Sequence, residues 1–241
     1  MLADTAIKDN LEQARQRIAV AETKYNRTPG SVALLAVSKT QPASAILSAI
    51  QQQQCHFGEN YLQEALNKID ELQGQPIVWH YIGAIQSNKT RPIAENFDWV
   101  HSVSSLKVAK RLSAQRPETL PTLNICLQFN VSDEASKSGA TLKELSTLAT
   151  EIAALPRIKL RGLMALPQKT ETFEQQRAAF HHVQQAQQRL IDAGHPLDTL
   201  SLGMSADLEA AIAEGSTIVR IGTAIFGARK ATPSPGYGAD N

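Results

Sequence analysis

The strongest constraint on the fold is a repeat of pattern rather than of residues. Eight short apolar runs each lead into a helix-like segment. The runs are Ala33–Val37, Gln54–Phe57, Val78–Ile82, Phe97–His101, Leu123–Phe129, Lys159–Met164, Thr199–Leu202 and Thr217–Ile221. The first, ALLAV within SVALLAVSKTQP, is apolar on both faces, as strands of a buried parallel sheet are. Helix-like stretches at Pro42–Gln52, Tyr61–Leu72, Asn88–Glu95, Ser104–Ala114, Thr141–Ala153, Thr172–Ala193 and Ala206–Ala213 separate them, and TAIFGARK after the last run allows one short turn. Thr141-Leu-Lys-Glu144 is a capping-box pattern, and Gly194 and Pro196 stop the longest helix. Such alternation implies α/β architecture with a parallel sheet. Eight repeats predict closure into a single (β/α)8 TIM-type barrel. A doubly wound open sheet is the alternative, because periodicity within strands carries no information on closure.

A chain of 241 residues suits one barrel, and 42% apolar residues supply its core. The balance of 24 basic and 23 acidic residues gives net charge +1, which favours neither a nucleic-acid nor a membrane partner. In the N-terminal stretch, Ile7, Leu11, Ala14, Ile18 and Ala21 recur every three or four residues, so residues 1–27 are expected to form an outer amphipathic helix. The same stretch lacks the apolar run of a signal peptide, and no segment is long and apolar enough to span a membrane. Cys55 and Cys126 sit in strand-like runs without metal-ligand spacing, and read as buried thiols in a reducing cytoplasm. The expected organisation is a barrel domain over 1–229 and a disordered tail over 230–241.

Active sites of such barrels lie at the C-terminal ends of the strands. The chain delivers Ser38 and Lys39 there from the first strand, Glu59 and Asn60 from the second, and Gln86, Ser87 and Asn88 after the third. SLGMSAD and RIGTA follow the seventh and eighth. The last two loops often form a phosphate site, for which Gly203, Ser205, Gly222 and Thr223 suit a close approach and hydroxyl donors. Asn60 and Ser205 equally suit helix N-caps, and His80 and His101 read as structural groups. Lys39 would be partly desolvated at a buried strand end, exposing its amine as a nucleophile toward aldehydes, or it would simply reach out to solvent. A phosphate clamp with an amine suggests a phosphosugar or pyridoxal 5′-phosphate (PLP). Arg220 suits either the phosphate or a pyridine nitrogen, which a guanidinium would keep unprotonated.

The motifs LLAVSKTQP, HFGENYLQEA, WHYIGAIQSNKTR, SKSG, GLMALP and LSLGMSADLEAAIAEGSTIVRIGTAIFGAR closely resemble the pyridoxal phosphate homeostasis proteins, single-domain relatives of the barrel domain of fold-type III alanine racemases. The likeness runs from about Ser31 to Arg229. It implies that Lys39 holds PLP as a Schiff base (an internal aldimine), with Asn60 beside the cofactor. It also implies Met204 and Ser205 as the MS pair whose serine touches phosphate, Arg220 at the ring nitrogen, and Gly222 and Thr223 at phosphate. Lys137 matches a lysine near the cofactor mouth, and Ser87 and Asn88 are secondary candidates.

The resemblance further implies a role in PLP (vitamin B6) and amino-acid homeostasis, as a cofactor carrier or buffer without efficient catalysis, and apo PLP-dependent enzymes as partners. A racemase needs acid/base groups on both faces of its substrate, and the alanine racemases take one from a second domain for which this chain has no room. The alternatives are a PLP-dependent amino-acid racemase and a cofactor-free Schiff-base aldolase. A cytoplasmic monomer is expected.

Overall fold

A computed structural model describes residues 2–131 and 139–227. The expectations for Lys137 and for the tail at 230–241 lie outside those residues. The element order is α1 (Leu2–Lys24), β1 (Ala33–Val37), α2 (Ala43–Ile50), β2 (His56–Glu59), α3 (Leu62–Glu71), β3 (Val78–Tyr81), a 3₁₀ turn (Ser87–Lys89) and α4 (Thr90–Asn96). There follow β4 (Trp99–Val103), α5 (Leu106–Gln115), β5 (Leu123–Gln128), α6 (Leu142–Ala153), β6 (Ile158–Met164), α7 (Phe173–Asp192), β7 (Thr199–Ser201), α8 (Leu208–Ala213), β8 (Ile218–Ile221) and α9 (Thr223–Phe226).

The strands form a closed parallel barrel in sequence order. Closure is made by β1 on β8, with Ala33 opposite Ile218 and Ala36 opposite Ile221. This excludes the open doubly wound sheet. Two of the strands start two residues later than the apolar runs suggested. Before β2, the Gln54 amide caps the strand entries by donating to the carbonyls of Leu34 and His56, each at 2.8 Å. Before β4, Phe97 packs in the helix–sheet core rather than in the ladder. In consequence Cys55 falls just outside β2 and is half-buried, while Cys126 lies buried in β5; both are unpaired.

The period of two divides each strand between two cores. Leu34 and Ala36 of β1 join the apolar layer under the helices. Leu35 and Val37 point the other way, Leu35 toward His56 and His80, Val37 toward Lys39 and Arg220. Local signals act as read. At Thr141 the Glu144 carboxylate accepts the backbone N–H at 2.9 Å and the hydroxyl at 2.8 Å. Past α7, Gly194 takes φ +94° and its N–H bonds the Ile191 carbonyl at 2.8 Å. α1 buries the anticipated face, with Ile7, Leu11, Ala14, Ile18 and Ala21 all under 8% exposed. It packs on α2, α8 and α9. The last two helices are short, and α1 covers the flank they leave.

Candidate functional site

A cavity of about 450 Å³ opens at the C-terminal ends of the strands, within the usual range for small-molecule sites. Its wall includes Lys39, Asn60, Met204, Ser205, Arg220, Gly222 and Thr223, so the seven residues named first from sequence meet at one place. Ser87 and Asn88 do not border it; they form the 3₁₀ turn before α4. Lys137 lies outside the described residues.

Arg220 sits on the cavity floor and is 5% exposed. Its Nη1 donates to the Ser201 carbonyl and, at 2.7 Å, to the Ser201 hydroxyl; Nη2 donates to the Ala165 carbonyl at 3.0 Å. A guanidinium carries five N–H groups, so its Nε–H and one Nη2–H remain for a ligand. Burial lowers its pKa to about 10, still charged at neutral pH.

Neither Asn60 nor Ser205 is a helix cap. α3 begins at Leu62 behind Tyr61, and α8 begins at Leu208 behind Asp207, neither with a side-chain cap bond. The Met204 N–H instead donates to the Asp207 carboxylate at 2.6 Å, which ties up the MS loop. The Asn60 amide oxygen is buried with no partner, and that vacant acceptor faces a residue set rich in donors. Two glycines shape the rim. A Cβ at Gly83 would lie 2.1 Å from the Asn60 carbonyl oxygen, and Gly203, at φ +90°, would put a Cβ 2.6 Å from that of Ala211. Close packing therefore requires both, beyond a mere turn.

Lys39 is half-buried at the end of β1, and its neighbours are tied down. The Ser38 hydroxyl donates to Glu59 Oε1 at 2.7 Å, and the Thr40 N–H to Glu64 Oε1 at 2.6 Å. Lys68 Nζ bonds Glu59 and Glu64 at 2.7 and 2.6 Å and the Ser38 carbonyl at 2.8 Å. Burial raises the Glu59 pKa, and Lys68 and Ser38 act against that rise. Sequence reasoning missed Lys68, which on an amphipathic helix reads as a solvated charge. It also missed Lys169, a second amine on the cavity wall, whose only signal is its position two residues past the strand-end motif GLMALP.

Three comparisons bear on this arrangement. The model for "Alanine racemase, N-terminal domain" matches residues 5–230. The pyridoxal phosphate homeostasis protein of Pseudomonas aeruginosa is 56% identical over 93% of this chain and 96% of its own. That of Escherichia coli K12 is 52% identical over 92% and 97%. PipY of Synechococcus elongatus, solved with PLP bound, superposes with a TM-score of 0.80 at 36% identity, over 92% of this chain and all of PipY. An alanine racemase from Corynebacterium glutamicum shares the fold, with a TM-score of 0.70 at 16% identity, and this chain spans 62% of it.

Proposed function

Since the chain belongs to the pyridoxal phosphate homeostasis proteins, built on the alanine racemase N-terminal barrel, we propose that it binds PLP at the strand ends and carries or buffers that cofactor. The observation that carries this reading is the single cavity that joins an amine, a buried guanidinium with spare donors, an unpartnered amide oxygen, and a hydroxyl-bearing glycine loop. These groups fit PLP. Lys39 would supply the amine for its aldehyde and Arg220 the donor for its ring nitrogen. Ser205, Gly222 and Thr223 would hold its phosphate, with Met204 and Asn60 flanking. PLP, when bound, supplies an aldehyde that bonds amines and a ring that draws electrons from the adjacent carbon. A permanently charged donor at the ring nitrogen keeps that nitrogen unprotonated, which weakens the electron draw.

A non-catalytic role also accords with the tyrosines. Tyr81 donates to the Ala84 carbonyl at 3.1 Å, Tyr25 lies against Phe173, and Tyr61 is exposed; none of the three borders the cavity. Among the described residues, no tyrosine therefore stands at the cavity as the second acid/base group that a racemase uses. We take residues 1–229 as one cofactor-binding domain acting as a cytoplasmic monomer on free PLP and on apo PLP-dependent enzymes.

The test is the visible absorption band that PLP acquires on joining a lysine. Purified protein with added PLP should show it, and Lys39→Ala should lose it. A band that survives Lys39→Ala moves the attachment to Lys169 or Lys137, and no band in the native chain overturns the reading. Solvent deuterium entering Cα of an added amino acid at a sustained rate would instead favour the racemase.

A further inference from the structure

The barrel interior holds a line of polar groups where branched aliphatic side chains are usual. His56 begins β2, and His80 and His101 lie in β3 and β4, the latter two 1% and 0% exposed. His56 Nδ1 is 2.9 Å from His80 Nε2, and His80 Nδ1 is 2.8 Å from His101 Nε2. His101 Nδ1 is 2.8 Å from the Ser201 hydroxyl, which accepts from Arg220 Nη1 at 2.7 Å. At its far end the line reaches a second cavity, about 200 Å³, at the opposite mouth of the barrel, bordered by His56, His80, Trp99, Arg161 and Asp198.

The direction of these bonds follows from the donor inventory. A guanidinium only donates, so the Ser201 oxygen must accept from Arg220. Among the described residues, the serine proton then has one acceptor, His101 Nδ1. That nitrogen must be bare, so the His101 proton sits on Nε2 and is given to His80 Nδ1. His80 in turn gives its Nε2 proton to His56 Nδ1. If any of the rings were protonated, or the direction were reversed, an N–H would face Ser201. The serine proton would then point at the arginine, leaving an unpaired donor in a buried site.

We propose that Arg220 polarises a one-way hydrogen-bond chain through Ser201, His101, His80 and His56, and that Ser201 and His101 are positioning residues that aim its spare N–H groups into the cofactor cavity. The positioning half rests on the reading that Arg220 meets the PLP ring; the direction of the chain does not. An arginine side chain has many rotamers. The carbonyl and hydroxyl of Ser201, the latter held by His101, fix it in place together with the Ala165 carbonyl.

The chain is tested first in ligand-free native protein, by long-range proton–nitrogen NMR of ¹⁵N-histidine at neutral pH. His56, His80 and His101 should all be neutral with the proton on Nε2; an Nδ1 proton on any of them overturns the chain. PLP binding to Ser201→Ala, followed by absorbance, should weaken by roughly ten- to a hundred-fold, as for a lost bond to a charged group, with a shifted absorption maximum. Ser201→Thr, which keeps the hydroxyl, should restore both. Unchanged affinity and spectrum in Ser201→Ala overturn the positioning role, as does a Ser201→Thr chain no better than Ser201→Ala. Native protein that fails to bind PLP at all, yet shows the three Nε2 protons, would sink the PLP reading and its positioning role while sparing the chain.

Discussion

Lys39 owes its place partly to Glu59, Glu64 and Lys68, which do not border the cavity. Thr40, just after it, sits at φ +63°, a region costly for a β-branched residue. The Glu64 carboxylate on its N–H, and Lys68 on Glu64, hold it there. Glu59, with no exposed surface, needs Lys68 to be charged at all. Replacing Lys68 by Met should leave a buried carboxylate without its cation, at a cost of about 3–5 kcal/mol in urea unfolding. Adding Glu59→Gln to that variant should recover a large part. If the double variant is no more stable than Lys68→Met, the pair is not what holds the turn. Lys39 itself was legible because a lysine breaks an apolar run. Lys68 was not, because a charge on an amphipathic helix is nearly always solvated. Asn60 and Ser205 show the converse failure: each stands before a helix-like run, yet the helix starts one or more residues further on.

Among the elements, α1 shows most clearly what pattern can and cannot tell. Its apolar face was readable residue by residue, but its target was not, since amphipathicity names a buried side and no partner. The partner is set by a shortage elsewhere: α8 has six residues and α9 four, too few to cover the sheet between β8 and β1. From α1, Arg17 donates to the Ser205 carbonyl at 3.1 Å, and Asn10 to the Ile225 carbonyl at 2.9 Å. The helix thus braces the Ser205 loop and α9, the two segments assigned to phosphate. Leu11 has no exposed surface, and Leu11→Ala should cost about 2–5 kcal/mol, read by urea unfolding. Affinity for PLP should fall with it, because the braced loops loosen. A variant that loses stability but keeps full affinity would separate the helix from the site. Strand edges at β2 and β4 slipped by two residues for a related reason: Gln54 and Phe97 head runs that read as strands, but serve as a side-chain cap and a helix-layer residue.

For the whole molecule, alternation was enough to name the barrel, while its polar interior was not legible. A histidine in a strand reads as one satisfied group, and only the barrel's stagger brings three of them into line. That line sets how the fold responds to pH. Burial and the Arg220 charge hold His101 down to about 3; burial above all holds His80 well below its usual value, and burial lowers His56. Unfolded histidine titrates near 6.5, so as pH falls below that the unfolded chain takes up protons that the folded chain refuses. Stability is therefore fully present above about pH 6.5 and drains away toward the folded values. Glu59 works in the opposite sense, because its raised pKa makes the folded chain hold a proton that the unfolded one releases above 4.5. With three imidazoles set against one carboxyl, the net slope is a loss of stability as pH falls below about 6.5. Urea unfolding at half-unit steps should show that slope, and His80→Asn should reduce it by about 1.4 kcal/mol per unit. A flat profile would mean that the rings accept protons where they stand. A row of imidazoles protonated on both nitrogens has no direction, so Arg220 could not then be the origin of an ordered chain.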